Sequence, residues 1–118
     1  MPVSSAEASP SKVAVLADVF TKLKTQGRAA LAPFVTAGDP DMETTLAVLE
    51  SLDRAGASLC ELGVPYSDPI ADGPVIQSSY TRALAAGFTL ERLFELSRQA
   101  TQRAVSYTHL TLPTKRIV

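Results

Sequence analysis

The chain has 118 residues, of which 46% are hydrophobic and 19% charged, the makeup of one soluble globular unit and of neither a disordered nor a membrane-embedded polymer. Eleven Lys and Arg against twelve Asp and Glu leave a formal net charge of -1 and a pI near 5.7. With no stripe of Lys and Arg for nucleic acid, and no apolar run near the roughly 20 residues of a membrane span, both partners are excluded and small metabolites remain open.

Residues 1–11, MPVSSAEASPS, have neither a basic start nor the apolar core of an export signal, and read as a flexible leader. The lone cysteine, Cys60, forms no internal disulfide and fits a reducing compartment, so cytoplasm is the expected location. After Ser11, a candidate N-cap, Val13, Leu16, Phe20 and Leu23 share one face of a helix that Gly27 closes. Residues 29–36, AALAPFVT, form a mainly apolar run ending in a β-branched pair, as a buried parallel strand does, with Pro33 removing one ladder donor.

In Gly38-Asp39-Pro40, Asp39 is the expected cap of a second helix and Pro40 its first residue. Met42, Leu46, Leu49 and Leu52 give that helix an apolar face, and Gly56 ends it. Residues 57–63, ASLCELG, read as a second strand. A loop rich in Pro, Asp and Gly follows, and Gly73-Pro74 opens a third helix with Ile76, Tyr80, Ala83 and Leu84 on one side, stopped by Gly87. Thr89 caps a fourth, with Leu90, Leu93 and Phe94 inward, running to about Arg103. From about Val105 helical periodicity is lost; β-propensity allows a short strand at 108–112 before Pro113 stops it.

Two strands joined by a helix make a βαβ unit with parallel strands and a right-handed crossover. A parallel sheet needs both faces covered, and two strands neither close a barrel nor complete a doubly wound sheet. The sequence therefore reads as part of a larger α/β fold.

The densest chemical signal is ELGVPYSDPIADGP at 61–74, which places Glu61, Asp68 and Asp72 at and beyond the carboxyl end of a strand, where α/β folds put their ligands. Alternation sends Leu59 and Glu61 to one face and Cys60 and Leu62 to the other. Glu61 is thus expected to be a partly desolvated carboxylate suited to general acid or base work, with a salt-bridged structural role as the alternative. Asp68 and Asp72 lie among Pro65, Pro69 and Pro74, which restrict φ and stiffen the loop; turn residues bonding nearby backbone N–H groups are the alternative. Cys60 is expected to face the helix layer as a small buried hydrophobe, and His109 to be exposed.

FVTAGDPD at 34–41, ELGVPYSDPIADGPVIQ at 61–77 and RALAAGFTLE at 82–91 resemble, in order and spacing, successive signature segments of the tryptophan synthase alpha chain family. The likeness runs from about residue 13 to about residue 103. It implies a (β/α)8 TIM barrel of about 250 residues, preceded by an extra helix, of which this chain is the amino-terminal part and incomplete. Residues 12–104 are the expected barrel segment, followed by an unmatched tail at 105–118, read as non-native.

The resemblance also implies a lyase of tryptophan biosynthesis, which splits indole-3-glycerol phosphate into indole and glyceraldehyde 3-phosphate in a retro-aldol step. Glu61 matches the family's catalytic glutamate and Asp72 its catalytic aspartate. Asp72 would stabilise or accept the indole N–H proton as positive charge develops, and Glu61 would move protons between the glycerol hydroxyl and the ring carbon. Phe34 matches a position lining the indole pocket, an ordinary core aromatic being the alternative. Pro65, Asp68 and Pro69 match the loop that meets the beta subunit in an alpha2-beta2 heterotetramer, a rigid turn being the alternative. No metal or cofactor is implied in this chain; pyridoxal phosphate would sit in the beta partner. Phosphate binding in such barrels comes from loops after the seventh and eighth strands, so the chain alone is expected to be inactive, or to act as an interaction fragment on the beta subunit.

Overall fold

The computed structural model describes residues 12–102 and 108–111. The leader at 1–11, the segments 103–107 and 112–118, and the exposure of His109 lie outside the described residues. The chain divides into two units, residues 1–30 and residues 31–118.

The first unit carries helix α1 (Lys12–Thr25), with Lys22 and Lys24 in its last turn, where cations favour the negative end of the helix dipole. Val19 is buried and Phe20 is half exposed. Residues 16, 19, 20 and 23 all fall on one stripe at 3.6 residues per turn, so periodicity alone did not choose between these neighbours.

The second unit begins with strand β1 (Phe34–Thr36) and helix α2 (Met42–Arg54). The strand is shorter than the expected run at 29–36. Upstream the chain still runs beside its neighbour, since the Leu31 carbonyl accepts from the Ser58 N–H at 2.9 Å and the Pro33 carbonyl from the Glu61 N–H at 2.9 Å. The cap of α2 is Asp41, not Asp39. Asp41 is extended (φ -155, ψ 172) and its Oδ1 accepts from the Thr44 N–H at 2.7 Å. Two aspartates two positions apart both suit a cap; the helical dihedrals begin only after the second, and Asp39 is used elsewhere, in an ion pair with Arg82. At the far end the Ala57 N–H bonds the Leu52 carbonyl (3.0 Å) and the Gly56 N–H the Asp53 carbonyl (3.1 Å), a Schellman closure that needs the left-handed conformation Gly56 adopts at φ 90. The same pair of bonds closes α1.

Strand β2 (Cys60–Gly63), helix α3 (Pro74–Ala85), helix α4 (Leu90–Gln102) and strand β3 (Thr108–Thr111) follow. The sheet order is β1-β2-β3 and both pairings are parallel, so β1-α2-β2 is the βαβ unit that the sequence implied. Register sets Phe34 beside Glu61, Val35 beside Leu62 and Thr36 beside Gly63. The third strand lies where β-propensity allowed one, and pairs Glu61 with His109 at the Cα level.

One face of the sheet is the core. Val35, Cys60, Leu62 and Val64 pack against Leu46 and Leu49 of α2 and Leu93, Leu96 and Ala100 of α4. Cys60 therefore faces the helix layer, as alternation predicts. Burying each of these larger side chains contributes about 1.5–3 kcal/mol. Two inward assignments on α4 are corrected: Leu90 and Phe94 are 53% and 62% exposed, and the buried stripe is Leu93, Leu96 and Ala100. Apolar residues at 90, 93, 94 and 96 define two overlapping stripes, and packing against α2 selects the second. On α3, Ser79, Tyr80 and Ala83 are buried while Leu84, expected inward, is on the exposed rim. Gly73 is the N-cap and Pro74 the first helical residue, where its missing N–H costs nothing.

Candidate active site

The sheet face opposite the core carries Phe34, Thr36, Glu61 and Gly63, since side chains alternate along each strand and register partners in a parallel pair share a face. Glu61 is half-buried there, beside Phe34 on the neighbouring strand. The Phe34 ring lies over Gly63: a methyl group on Gly63 would stand 2.4 Å from Cζ and 3.0 Å from Cε2 of that ring. Only a residue without a side chain leaves room for the ring at this point. Phe34 is 37% exposed, so it borders open space and is not enclosed in the core. Gly63 went unnoticed in the sequence, where a strand-terminal glycine looks like the start of a loop.

Beyond β2, residues 64–73 form a loop held at several points. Val64 and Pro65 are buried. The rings of Tyr66 and Tyr80 meet with centroids 6.1 Å apart, tilted by 53°, which fastens the loop to α3. Asp68 is exposed and Pro69 half-buried, and between them and the helix Ile70 is 79% exposed. Of the three loop residues singled out from the sequence, Asp68 thus presents itself to solvent, while Pro65 shapes the loop from beneath.

Asp72 is half-buried and immediately precedes the N-cap of α3, where the positive end of the helix dipole favours a carboxylate. The Gln77 side-chain amide, one turn into the helix, donates to the Asp72 carbonyl at 2.6 Å and fixes the backbone from which that carboxylate projects. Burial pushes the Tyr80 phenol above its ordinary value, and the Asp72 charge and Tyr66 push it further. Tyr80 read in the sequence as one of several core-face residues of α3; its place beside the Asp72 charge depends on how the loop folds back.

The arrangement therefore offers an aromatic wall and a carboxylate side by side on adjacent strands, with a second carboxylate at the head of the following helix. Such a set suits proton transfer on a flat apolar substrate. A groove of about 460 Å³ lies elsewhere, between α2 and α4, floored by Met42, Leu46 and Leu96 and rimmed by Glu43, Glu95 and Arg92. It is separated from Glu61, because those helices cover the other face of the sheet. Among the described residues no group of three or more His, Cys, Asp or Glu is placed to hold a metal ion, and no helix is long and apolar enough to cross a membrane.

Comparison with known proteins relates the chain to tryptophan synthase alpha chains. The tryptophan synthase alpha chain profile matches residues 20–112, reaching past residue 105 into the segment that read as unmatched. The tryptophan synthase alpha chain of Rhodopirellula baltica is 56% identical over 87 residues, covering 74% of this chain and 31% of the relative. Among solved structures, tryptophan synthase subunit alpha from Legionella pneumophila superposes with a TM-score of 0.76 at 36% identity, covering 82% of this chain and 37% of that one. The tryptophan synthase complex from Pyrococcus furiosus gives 0.67 at 43% identity, with 71% and 35% covered. The chain spans about a third of the length of these relatives, and its parallel strands and covering helices are part of a (β/α)8 barrel. By sequence and by fold, the chain belongs to the tryptophan synthase alpha chain family.

Proposed function

We propose that Glu61 and Asp72 are the proton-handling carboxylates of a lyase that splits indole-3-glycerol phosphate into indole and glyceraldehyde 3-phosphate. The observation that carries this reading is the placement of Glu61 in register beside Phe34, whose ring lies over Gly63, with Asp72 at the head of α3 on the next loop. In a retro-aldol cleavage the bond between indole C3 and the glycerol side chain breaks. The adjacent hydroxyl becomes the aldehyde and loses its proton, and the ring carbon must gain one to depart as neutral indole. A carboxylate near the ring carbon serves both transfers, the role assigned to Glu61. Protonating C3 puts positive charge on the ring nitrogen, and a second carboxylate beside that N–H stabilises it, the role assigned to Asp72. Phe34 supplies an aromatic wall for the indole. The chemistry calls on no metal or organic cofactor in this chain.

The loop tip supports a partner role. Asp68 and Ile70 are exposed on a segment stiffened by prolines and fastened by the Tyr66–Tyr80 contact, so a docking surface there would pay little in ordering entropy. The partner is a beta subunit carrying pyridoxal phosphate, in an alpha2-beta2 assembly in the cytoplasm. Loss of beta-subunit capture in Asp68→Ala would support this; unchanged capture would remove Asp68 from the interface.

A complete barrel is the setting for the catalytic test. Residues 20–102 replace the aligned segment of the Rhodopirellula baltica chain, and indole release is followed. The chimera is expected to turn over, and Glu61→Gln or Asp72→Asn to lower kcat by about 10²–10⁴. Full activity in either variant would sink that residue's role. The 118-residue chain alone is expected to release no indole, because phosphate-binding loops in such barrels follow strands seven and eight, and without them the substrate is not held against the carboxylates.

A further inference from the structure

Asp72 stands at the head of helix α3, and a short polar relay is one of the ties between α3 and β1. Thr36 Oγ1, on β1, and Ser79 Oγ, on α3, lie 2.7 Å apart, and both residues are buried. Ser79 Oγ also donates to the Ile76 carbonyl at 2.6 Å. A serine hydroxyl has a single proton and the carbonyl can only accept, so the Ser79 proton goes to Ile76 and the shared bond must be donated by Thr36. The relay therefore runs in one direction, from the Thr36 hydroxyl to Ser79 to the first turn of α3. There the Gln77 side chain takes over, bonding back to the Asp72 carbonyl. A second tether, farther along the helix, is the two-pronged pair of Arg82 Nε and Nη2 with the Asp39 carboxylate, at 3.0 and 2.9 Å.

The two ties differ in kind. The Arg82 side chain is 57% exposed, so solvent and salt screen its pair with Asp39. The hydroxyl relay is buried, where a donor left without its acceptor is costly, and it acts nearest the end of α3 that bears Asp72.

We propose that Thr36 and Ser79 are positioning residues for Asp72: their hydrogen bond docks the first turns of α3 on β1 and so fixes where that carboxylate stands relative to Phe34 and Glu61. The significance of the position for catalysis rests on the lyase reading above; the docking itself does not.

Two measurements separate these. In the 118-residue chain, amide hydrogen exchange is compared between the native sequence, Thr36→Val, Ser79→Ala, the double variant and Thr36→Ser. Thr36→Val keeps the shape and removes the donor. It is expected to speed exchange of α3 amides about five- to tenfold, with α2 and α4 unchanged, and the double variant to go little further than either single one. Thr36→Ser, which keeps the hydroxyl, is expected to restore protection. Unchanged α3 exchange in Thr36→Val, or equal loosening of α2 and α4, overturns the relay whatever the chain's chemistry. In the chimeric barrel, Thr36→Val is expected to lower kcat about tenfold with little change in KM, and Thr36→Ser to recover it. Loosened α3 with undiminished kcat overturns the positioning role. An inactive parent chimera overturns the lyase reading, and the exchange result then decides the docking alone.

Discussion

Cys60 gives the most direct check on which face of the sheet is the core. Its side chain is 5% exposed among Leu62, Leu49 and Leu93, and burial pushes the thiol from 9.0 to about 11, with the Glu61 charge as the lesser cause. At pH 8 about one thiol in ten is ionised in the unfolded chain and about one in a thousand in the folded one, so ionisation alone slows reaction with a disulfide reagent about a hundredfold. Steric enclosure adds to that. The perturbation is urea at fixed pH, and the assay is the rate of thiol labelling across the unfolding transition, set beside circular dichroism. The labelling midpoint is expected to track loss of helix. The folded chain holds the thiol proton more tightly, so its contribution to stability is complete below pH 9.0 and is lost as pH rises towards about 11. The size is on the order of 2–3 kcal/mol, visible as a fall in urea midpoint between pH 9 and pH 11 that Cys60→Ala abolishes. Labelling in native buffer within tenfold of the unfolded rate would refute the placement of Cys60 in the core.

Other substitutions probe the remaining assignments. Leu93→Ala, at a side chain 1% exposed, should cost about 2–5 kcal/mol in urea unfolding, whereas Leu90→Ala on the same helix, 53% exposed, should stay within about 0.5 kcal/mol; equal effects would mean the stripe on α4 is misplaced. Asp41→Ala should lower the urea midpoint and Asp41→Asn should largely preserve it. The Thr44 backbone N–H, and then its hydroxyl, hold the Asp41 carboxyl below 3.8, so the cap contributes above that pH and is lost as pH falls through the lower folded value. Gly63→Ala should push the Phe34 ring out towards solvent for about 1–3 kcal/mol, while reducing kcat/KM of the chimeric barrel. A ring left in place by NMR shift and nuclear Overhauser contacts would show that the crowding at Gly63 was relieved some other way.

Strand β2 was legible because its residues split cleanly: Cys60 and Leu62 to an apolar layer, Glu61 between them to the other face. The βαβ order was legible from punctuation, with Gly56 ending α2 and Gly73-Pro74 starting α3. Helix phase on α4 was not, because Leu90 and Phe94 make as good a stripe as Leu93 and Leu96 until another helix is there to select one. The cap of α2 failed for a related reason: Asp39 and Asp41 carry the same chemistry, and only the tertiary ion pair with Arg82, 43 positions away, draws the first of them off. Residue types along the chain indicated Glu61 and Asp72 as candidates. The contacts around them, Gly63 under the Phe34 ring, Tyr80 against Tyr66 and Ser79 on Thr36, arise between elements and leave no local mark.

The division of the sheet into two faces explains why the site tolerates so much polarity. The layer of Leu46, Leu49, Leu93 and Leu96 lies wholly on the other side, so Thr36 and Glu61 interrupt no apolar packing that the fold relies on. Polar residues that do turn inward are each given partners: Thr45 accepts from the Gly38 N–H and donates to the Asp41 carbonyl, both at 2.9 Å, and among the described residues no buried side-chain oxygen or nitrogen lacks a hydrogen bond. The leucine core and the candidate site thus lie on different faces of the same two strands. A substitution at Leu62 should therefore act on folding first, and one at Glu61 on turnover first. Measuring urea midpoint and kcat together for Leu62→Ala and Glu61→Gln in the chimeric barrel tests that separation: a Glu61→Gln variant that unfolds as readily as Leu62→Ala would show that the carboxylate is part of the scaffold.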